Sequence, residues 1–85
     1  MTISDIILNK GEIILKQTIV ENIYLDNCPF LYGVVNKTND LSDDYNVDDI
    51  VLFNAGTATK FLLDNNYYYL ILEKDIYSTF INIAP

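Results

Sequence analysis

The chain has 85 residues, a formal charge of −7, 51% hydrophobic residues and seven tyrosines. That is one domain, residues 1–85, with a core large enough to fold but too small to house a deep active site, and too apolar for disorder. All five basic residues are lysines, histidine is absent and Cys28 is the one cysteine, which excludes an arginine grip on phosphate or guanine, histidine-based catalysis, the common zinc sites and an internal disulfide.

The chain opens on an apolar leader, residues 3–8, turned by Asn9-Lys10-Gly11. Met1-Thr2-Ile3-Ser4-Asp5 lacks the positive charge and apolar core of a secretory signal. Every apolar run is too short for a bilayer, and a lone cysteine suits a reducing compartment. The expectation is a cytoplasmic protein with no membrane partner. Residues 12–16, Glu-Ile-Ile-Leu-Lys, predict a short strand whose charged ends suit a sheet edge or a subunit boundary. Residues 17–30, QTIVENIYLDNCPF, read in two ways. As a strand they put Ile19, Ile23 and Leu25 on one face and turn at Asp26-Asn27. As a loop they present Ile23-Tyr24-Leu25 between polar flanks.

Residues 31–37 predict another strand, in which Gly33 marks a bulge or a close backbone approach. Residues 38–46 are polar and turn-rich, a stub with Leu41 and Tyr45 as apolar anchors. An acidic turn, Asp48-Asp49, then enters the apolar block Ile50-Val51-Leu52-Phe53. After a break at Asn54-Ala55-Gly56 come two β-rich runs, residues 57–63 and 67–72. Asp64-Asn65-Asn66 joins them as a tight turn, because Asn and Asp tolerate positive φ. A polar corner, Glu73-Lys74-Asp75, opens a last strand, residues 76–83, with apolar residues on both faces. Two-sided burial fits a strand at a subunit interface better than a wet monomer surface. Pro85 ends the sequence. Short strands separated by turn signals describe a small all-β barrel or sandwich.

The chemical inventory is thin. Ser4, Ser42 and Ser78 have no histidine partner, and no glycine-rich loop is present to hold phosphate. Asp43-Asp44 and Asp48-Asp49 read as solvated charge rather than a metal site. The sequence therefore predicts no enzyme, no catalytic residue, no metal, no cofactor and no nucleic-acid partner.

The order of Val47, Asp49 and Ile50-Val51-Leu52-Phe53, then a hairpin, then Tyr69-Leu70-Ile71-Leu72-Glu73, Asp75 and Ile76 resembles the C-terminal half of the co-chaperonin family, chaperonin-10 (GroES-like). Asp48 stands where that family has a glycine. In the N-terminal half, Leu8, Ile13, Ile14, Leu15 and Lys16 resemble the family's first strand, with Gly11-Glu12 in place of its Asp-Arg pair. Tyr32-Gly33-Val34-Val35 resembles the strand that leaves the mobile loop. The resemblance implies a small GroES-like β-barrel with a shortened mobile loop and a reduced or absent roof hairpin. A trimmed, virus-encoded member, working in a host cytoplasm, fits that pattern. It further implies a homo-oligomeric ring, a heptamer, capping a GroEL-like, ATP-driven chaperonin in which client proteins fold. Ile23, Tyr24 and Leu25 would be the chaperonin-binding tripeptide. Ile3, Ile6, Leu8, Tyr77, Ile81 and Ile83 would lie at the subunit interface. The alternatives from composition are a small acidic β-barrel inhibitor or DNA mimic, and a structural adaptor barrel.

Overall fold

The computed structural model describes residues 1–19, 29–39 and 44–80. Six strands, β1 (Glu12–Thr18), β2 (Phe30–Thr38), β3 (Ile50–Asn54), β4 (Thr59–Leu63), β5 (Asn66–Leu72) and β6 (Ile76–Phe80), form one antiparallel sheet. Their order is β4-β5-β1-β2-β3-β6. The remaining regular structure among the described residues is two 3₁₀ turns, Ile3–Asp5 and Glu73–Asp75. The all-β expectation holds. Within the described residues β4 and β6 each pair on one side only, so the sheet has two open edges and is not closed into a barrel by hydrogen bonds.

The turns follow the residues that were expected to make them. Gly11, at φ +86, sits third in the turn closed by the Glu12 N–H bond to the Asn9 carbonyl at 3.0 Å. Asp64 and Asn65, with φ of 49° and 64°, form the two-residue connection between β4 and β5. Two successive left-handed residues match the right-handed twist of a hairpin, and Asp and Asn reach that conformation at low cost. Asp48 is left-handed too, at φ 78, in the turn closed by the Asp49 N–H bond to the Asn46 carbonyl at 3.1 Å. The same turn is tied to β2, because the Asp48 N–H reaches the Val35 carbonyl at 2.8 Å and the Val35 N–H reaches the Asp49 carbonyl at 2.9 Å.

The sheet is strongly rolled, and chain length forces this. Four sheet positions separate β5 from β6, which in a flat sheet is about 19 Å. Only Glu73, Lys74 and Asp75 connect the two strands, and four fully extended Cα steps reach at most about 14 Å. Core packing carries the same message. Phe53 on β3 and Tyr69 on β5 lie three positions apart in the sheet, yet their rings meet edge-on with centroids 5.1 Å apart. They share one cluster with Ile13, Leu15, Val35, Val51 and Ile71.

Strand β1 departs from the expectation of an edge or a subunit boundary. It lies inside the sheet, between β5 and β2. Ile13, Ile14 and Leu15 are all fully buried, so both of its faces are covered. The apolar trio governed placement, and the charged ends Glu12 and Lys16 lie where the cover stops.

Gly33 is the close approach that its place in a strand predicted. A Cβ there would stand 2.9 Å from Phe53 Cε1 and 3.3 Å from Leu15 Cβ. The bulge of this strand lies elsewhere: Ile14 pairs with Lys37 and Leu15 with Val35, which leaves Asn36 as the extra residue. Gly33→Ala is expected to destabilise the fold by about 1–3 kcal/mol, because the Phe53 ring must move against a filled core. Chemical denaturation measures this. An unchanged midpoint would mean that the ring yields freely.

Candidate docking and assembly surfaces

The tripeptide Ile23-Tyr24-Leu25 lies outside the described residues, as do Ile81, Ile83, Leu41, Asp43 and Cys28. What is described is the base of the segment that carries the tripeptide. It leaves the sheet where Thr18 pairs with Tyr32 and returns at Phe30, which pairs with Asn54. The Ala55 N–H reaches the Pro29 carbonyl at 3.0 Å and fixes the returning end. Ile19, just beyond β1, is exposed.

The N-terminal leader is not a strand. Its first turn, Ile3–Asp5, is closed by the Thr2 N–H bond to Asp5 Oδ2 at 2.8 Å. The leader then runs beside β2, where Lys37 Nζ donates to the carbonyl oxygens of Ile3 at 3.2 Å and Ser4 at 3.1 Å, and also to that of Ile6. Asn39 Nδ2 donates to the Leu8 carbonyl at 2.7 Å. Lys37 of β2 and Asn39 just beyond it thus hold the leader by its main chain, and no strand of the described residues pairs with it. Ile3 and Ile6 are half-buried, Leu8 is 7% exposed and belongs to the chain's own core, and Ile7 between them is 94% exposed. Ile7 is the leader residue most available to a neighbour. The resemblance named Ile3, Ile6 and Leu8 for the subunit interface and did not include it.

At the other edge, β6 pairs with β3 along Ile50↔Phe80, Val51↔Thr79, Leu52↔Ser78 and Phe53↔Ile76. The step from Ser78 to Ile76 makes Tyr77 a bulge. Its ring meets Phe30 at right angles, 4.7 Å between centroids, while the residue stays 60% exposed. Ile76 packs on the core, whereas Ser78 and Thr79 face solvent. The predicted two-sided burial is therefore not made within this chain among the described residues. A second apolar surface, unforeseen from sequence, is the β4–β5 hairpin. There Leu62 and Tyr67 pair across the strands and are 56% and 57% exposed, with Lys60 Nζ 4.5 Å from the Tyr67 ring centre. The signal was available in the run Tyr67-Tyr68-Tyr69: alternation puts Tyr67 and Tyr69 on one face, where Tyr69 is buried and Tyr67, beside the turn, is exposed.

Tyr45 is the anchor that residues 38–46 were expected to supply, and it packs against the core cluster. Burial raises its hydroxyl pKa above the ordinary 10.0, and the charges of Glu73 and Asp44 add to this, while a hydrogen bond with the Thr79 side chain opposes it. Among the described residues no group of three or more His, Cys, Asp or Glu side chains is placed to hold a metal ion, and no helix is long and apolar enough to cross a membrane. No protein-family model matches the chain, and the curated proteins compared with it yield no match.

The folded chain holds the Tyr45 proton more tightly than the unfolded chain does. The stability linked to it is complete below about pH 10 and is lost as pH rises through the higher folded value. Tyr45→Phe is expected to flatten the alkaline limb of the stability profile above pH 10. An alkaline limb identical in the variant would remove Tyr45 from the account.

Proposed function

We propose that this chain is a co-chaperonin: a non-enzymatic β subunit that assembles into a ring and caps a GroEL-like chaperonin through the segment between β1 and β2. The observation that carries this reading is Asp48. It replaces the family's glycine in the resembling stretch, and it adopts the left-handed conformation for which a glycine is ordinarily chosen. The resembling residues that follow run consecutively along the chain through β3, the hairpin β4–β5, the corner Glu73–Asp75 and β6. The open edge of β6 and the strand-free leader with its exposed Ile7 support assembly through the termini.

The mechanism is multivalent. Each docking segment makes a weak contact, and a ring of seven presents them together, so that one contact raises the effective concentration of the next. Ordering each segment on docking costs free energy, which keeps the cap releasable. No bond is made or broken by this subunit. The chaperonin supplies the nucleotide chemistry, and the cap supplies closure.

Ile23→Ser with Leu25→Ser tests the assignment. The double variant should keep its thermal midpoint and its ring mass by native mass spectrometry, and should lose co-sedimentation with a nucleotide-loaded GroEL-like ring. A large fall in the midpoint would put these residues in a core, where each truncation costs about 2–5 kcal/mol. Wild-type protein that runs as a monomer would instead favour the acidic inhibitor.

A further inference from the structure

The outer edge of β4 has no partner among the described residues, since β4 pairs with β5 alone. We propose that this edge pairs with the same edge of a second copy of the chain, antiparallel and about a two-fold axis at Leu62. The hairpin fixes which groups are on offer. Its two-residue turn makes Leu63 and Asn66 the closing pair, and in such a turn the closing pair exchanges both of its hydrogen bonds. Thr59 and Phe61 therefore bond inward, and Lys60 and Leu62 turn their N–H and C=O groups outward. The pairing with β5 runs unshifted from Thr59 to Leu63, with no proline and no bulge to spoil the outer edge. The edge of β6, by contrast, is interrupted by the bulge at Tyr77 and is polar at Ser78 and Thr79.

Antiparallel pairing sets outward-bonding residues opposite one another, which leaves three central registers for this edge. Lys60 facing Lys60 brings like charges together. Lys60 facing Leu62 leaves each cation against an aliphatic side chain. Leu62 facing Leu62 puts Lys60 opposite Asp64 of the second copy, twice by symmetry, and Phe61 opposite Leu63 on the other face. Charge complementarity selects this third register. It also gives partners to Leu62 and its cross-strand neighbour Tyr67, which are 56% and 57% exposed in the single chain. In the single chain Lys60 lies back over the rings of Tyr67 and Tyr69, 4.5 and 5.9 Å from their centres, which blunts the edge toward strands that offer no acid. Residues 59–72 hold Lys60 and Asp64 as their only charges, +1 and −1, so the net −7 of the chain lies wholly outside the hairpin. Repulsion between two acidic copies is weakest along this edge. Pairing through one short strand belongs to the small, transient class of interfaces. Because β4 and β6 are opposite margins of the sheet, the contact stands apart from the proposed assembly through the termini.

Disulfide trapping in the full-length chain carrying Cys28→Ser tests the register. The Cα atoms of a hydrogen-bonded antiparallel pair lie about 5.5 Å apart, within the reach of a disulfide. Leu62→Cys should therefore yield a disulfide-linked dimer at least about tenfold faster than Thr59→Cys, an exposed position on the same strand that this register keeps away from its own copy. Adding Lys60→Asp to Leu62→Cys should slow trapping about tenfold, and adding Asp64→Asn as well should recover most of the loss. In the unsubstituted protein, raising the concentration should protect the main-chain amides of Lys60 and Leu62 from hydrogen exchange and leave those of Phe61 and Leu63 unchanged. Equal trapping at Thr59→Cys would mean random collision and overturns the proposal. Faster trapping at Phe61→Cys would centre the pair on Phe61 and overturn the charge-selected register. Absence of concentration-dependent protection at Lys60 and Leu62 overturns the pairing without recourse to any substitution.

Discussion

A phenylalanine ring can cross a β-strand only where that strand has no side chain in its path, and β2 yields at Gly33. Through that gap Phe53 reaches Tyr69, three strand positions away. The contact lets a six-stranded sheet roll around a single cluster instead of lying flat with one face wet. Among the described residues there is no second layer to cover a flat sheet, so the sheet covers itself. The three-residue corner Glu73–Asp75 depends on the same roll, because a flat sheet would carry β5 and β6 beyond its reach. Gly33 is thus a packing requirement, and its backbone freedom is incidental.

Rolling has a cost at the margins. With β1 and β2 in the middle of the sheet, the incomplete interactions collect at β4, at β6 and along the leader. Each margin is guarded differently. Lys60 sits over the tyrosines of the hairpin, a common way to blunt an edge. A bulge at Tyr77 interrupts the alternation of β6. The leader is held by Lys37 and Asn39 acting on its carbonyls, a substitute for a ladder partner that leaves its own N–H groups unpaired to β2. Of the three, the leader is the one without a ladder partner among the described residues, and it carries the most exposed aliphatic residue among them, Ile7.

Strands and turns were legible because their signals are local. Gly11, Asp64 and Asn65 take positive φ where Gly, Asp and Asn were expected to turn the chain. The apolar runs of β1, β2, β3 and β5 announced strands of nearly the observed extent. Position in the sheet was less legible, since it depends on which faces are covered. Residues 12–16 looked like an edge from their charged ends, whereas three successive buried residues, Ile13, Ile14 and Leu15, make β1 central. A run of three apolar residues in a strand already implies cover on both faces, and that signal outweighed the charges. Leu8 and Ile7 were illegible for another reason: in the all-apolar run Ile6-Ile7-Leu8 nothing local marks which residue turns to the core and which to solvent. The bulge at Asn36 had no sequence signal at all, because a bulge two residues past a central strand's midpoint is a product of register.

The Asp48 turn joins the fold to the proposed function more directly than any apolar contact. Its N–H and the carbonyl of Asp49 both bond to Val35, so the turn continues the β2–β3 ladder past Ile50. Glycine would meet the backbone demand at φ 78 with less strain, but it would add freedom to the unfolded chain. Aspartate meets the same demand as one of the few side chains that tolerate it, and adds charge to an already acidic chain. Glycine and aspartate at this position are therefore alike in backbone and unlike in electrostatics. In a ring, the turn would repeat that negative charge in every subunit. Close approach of such turns would oppose closure, and added salt would relieve the repulsion over a distance of about 8–10 Å. Under the proposed ring assembly, the geometry of the turn would be retained while its charge tuned how tightly the subunits came together.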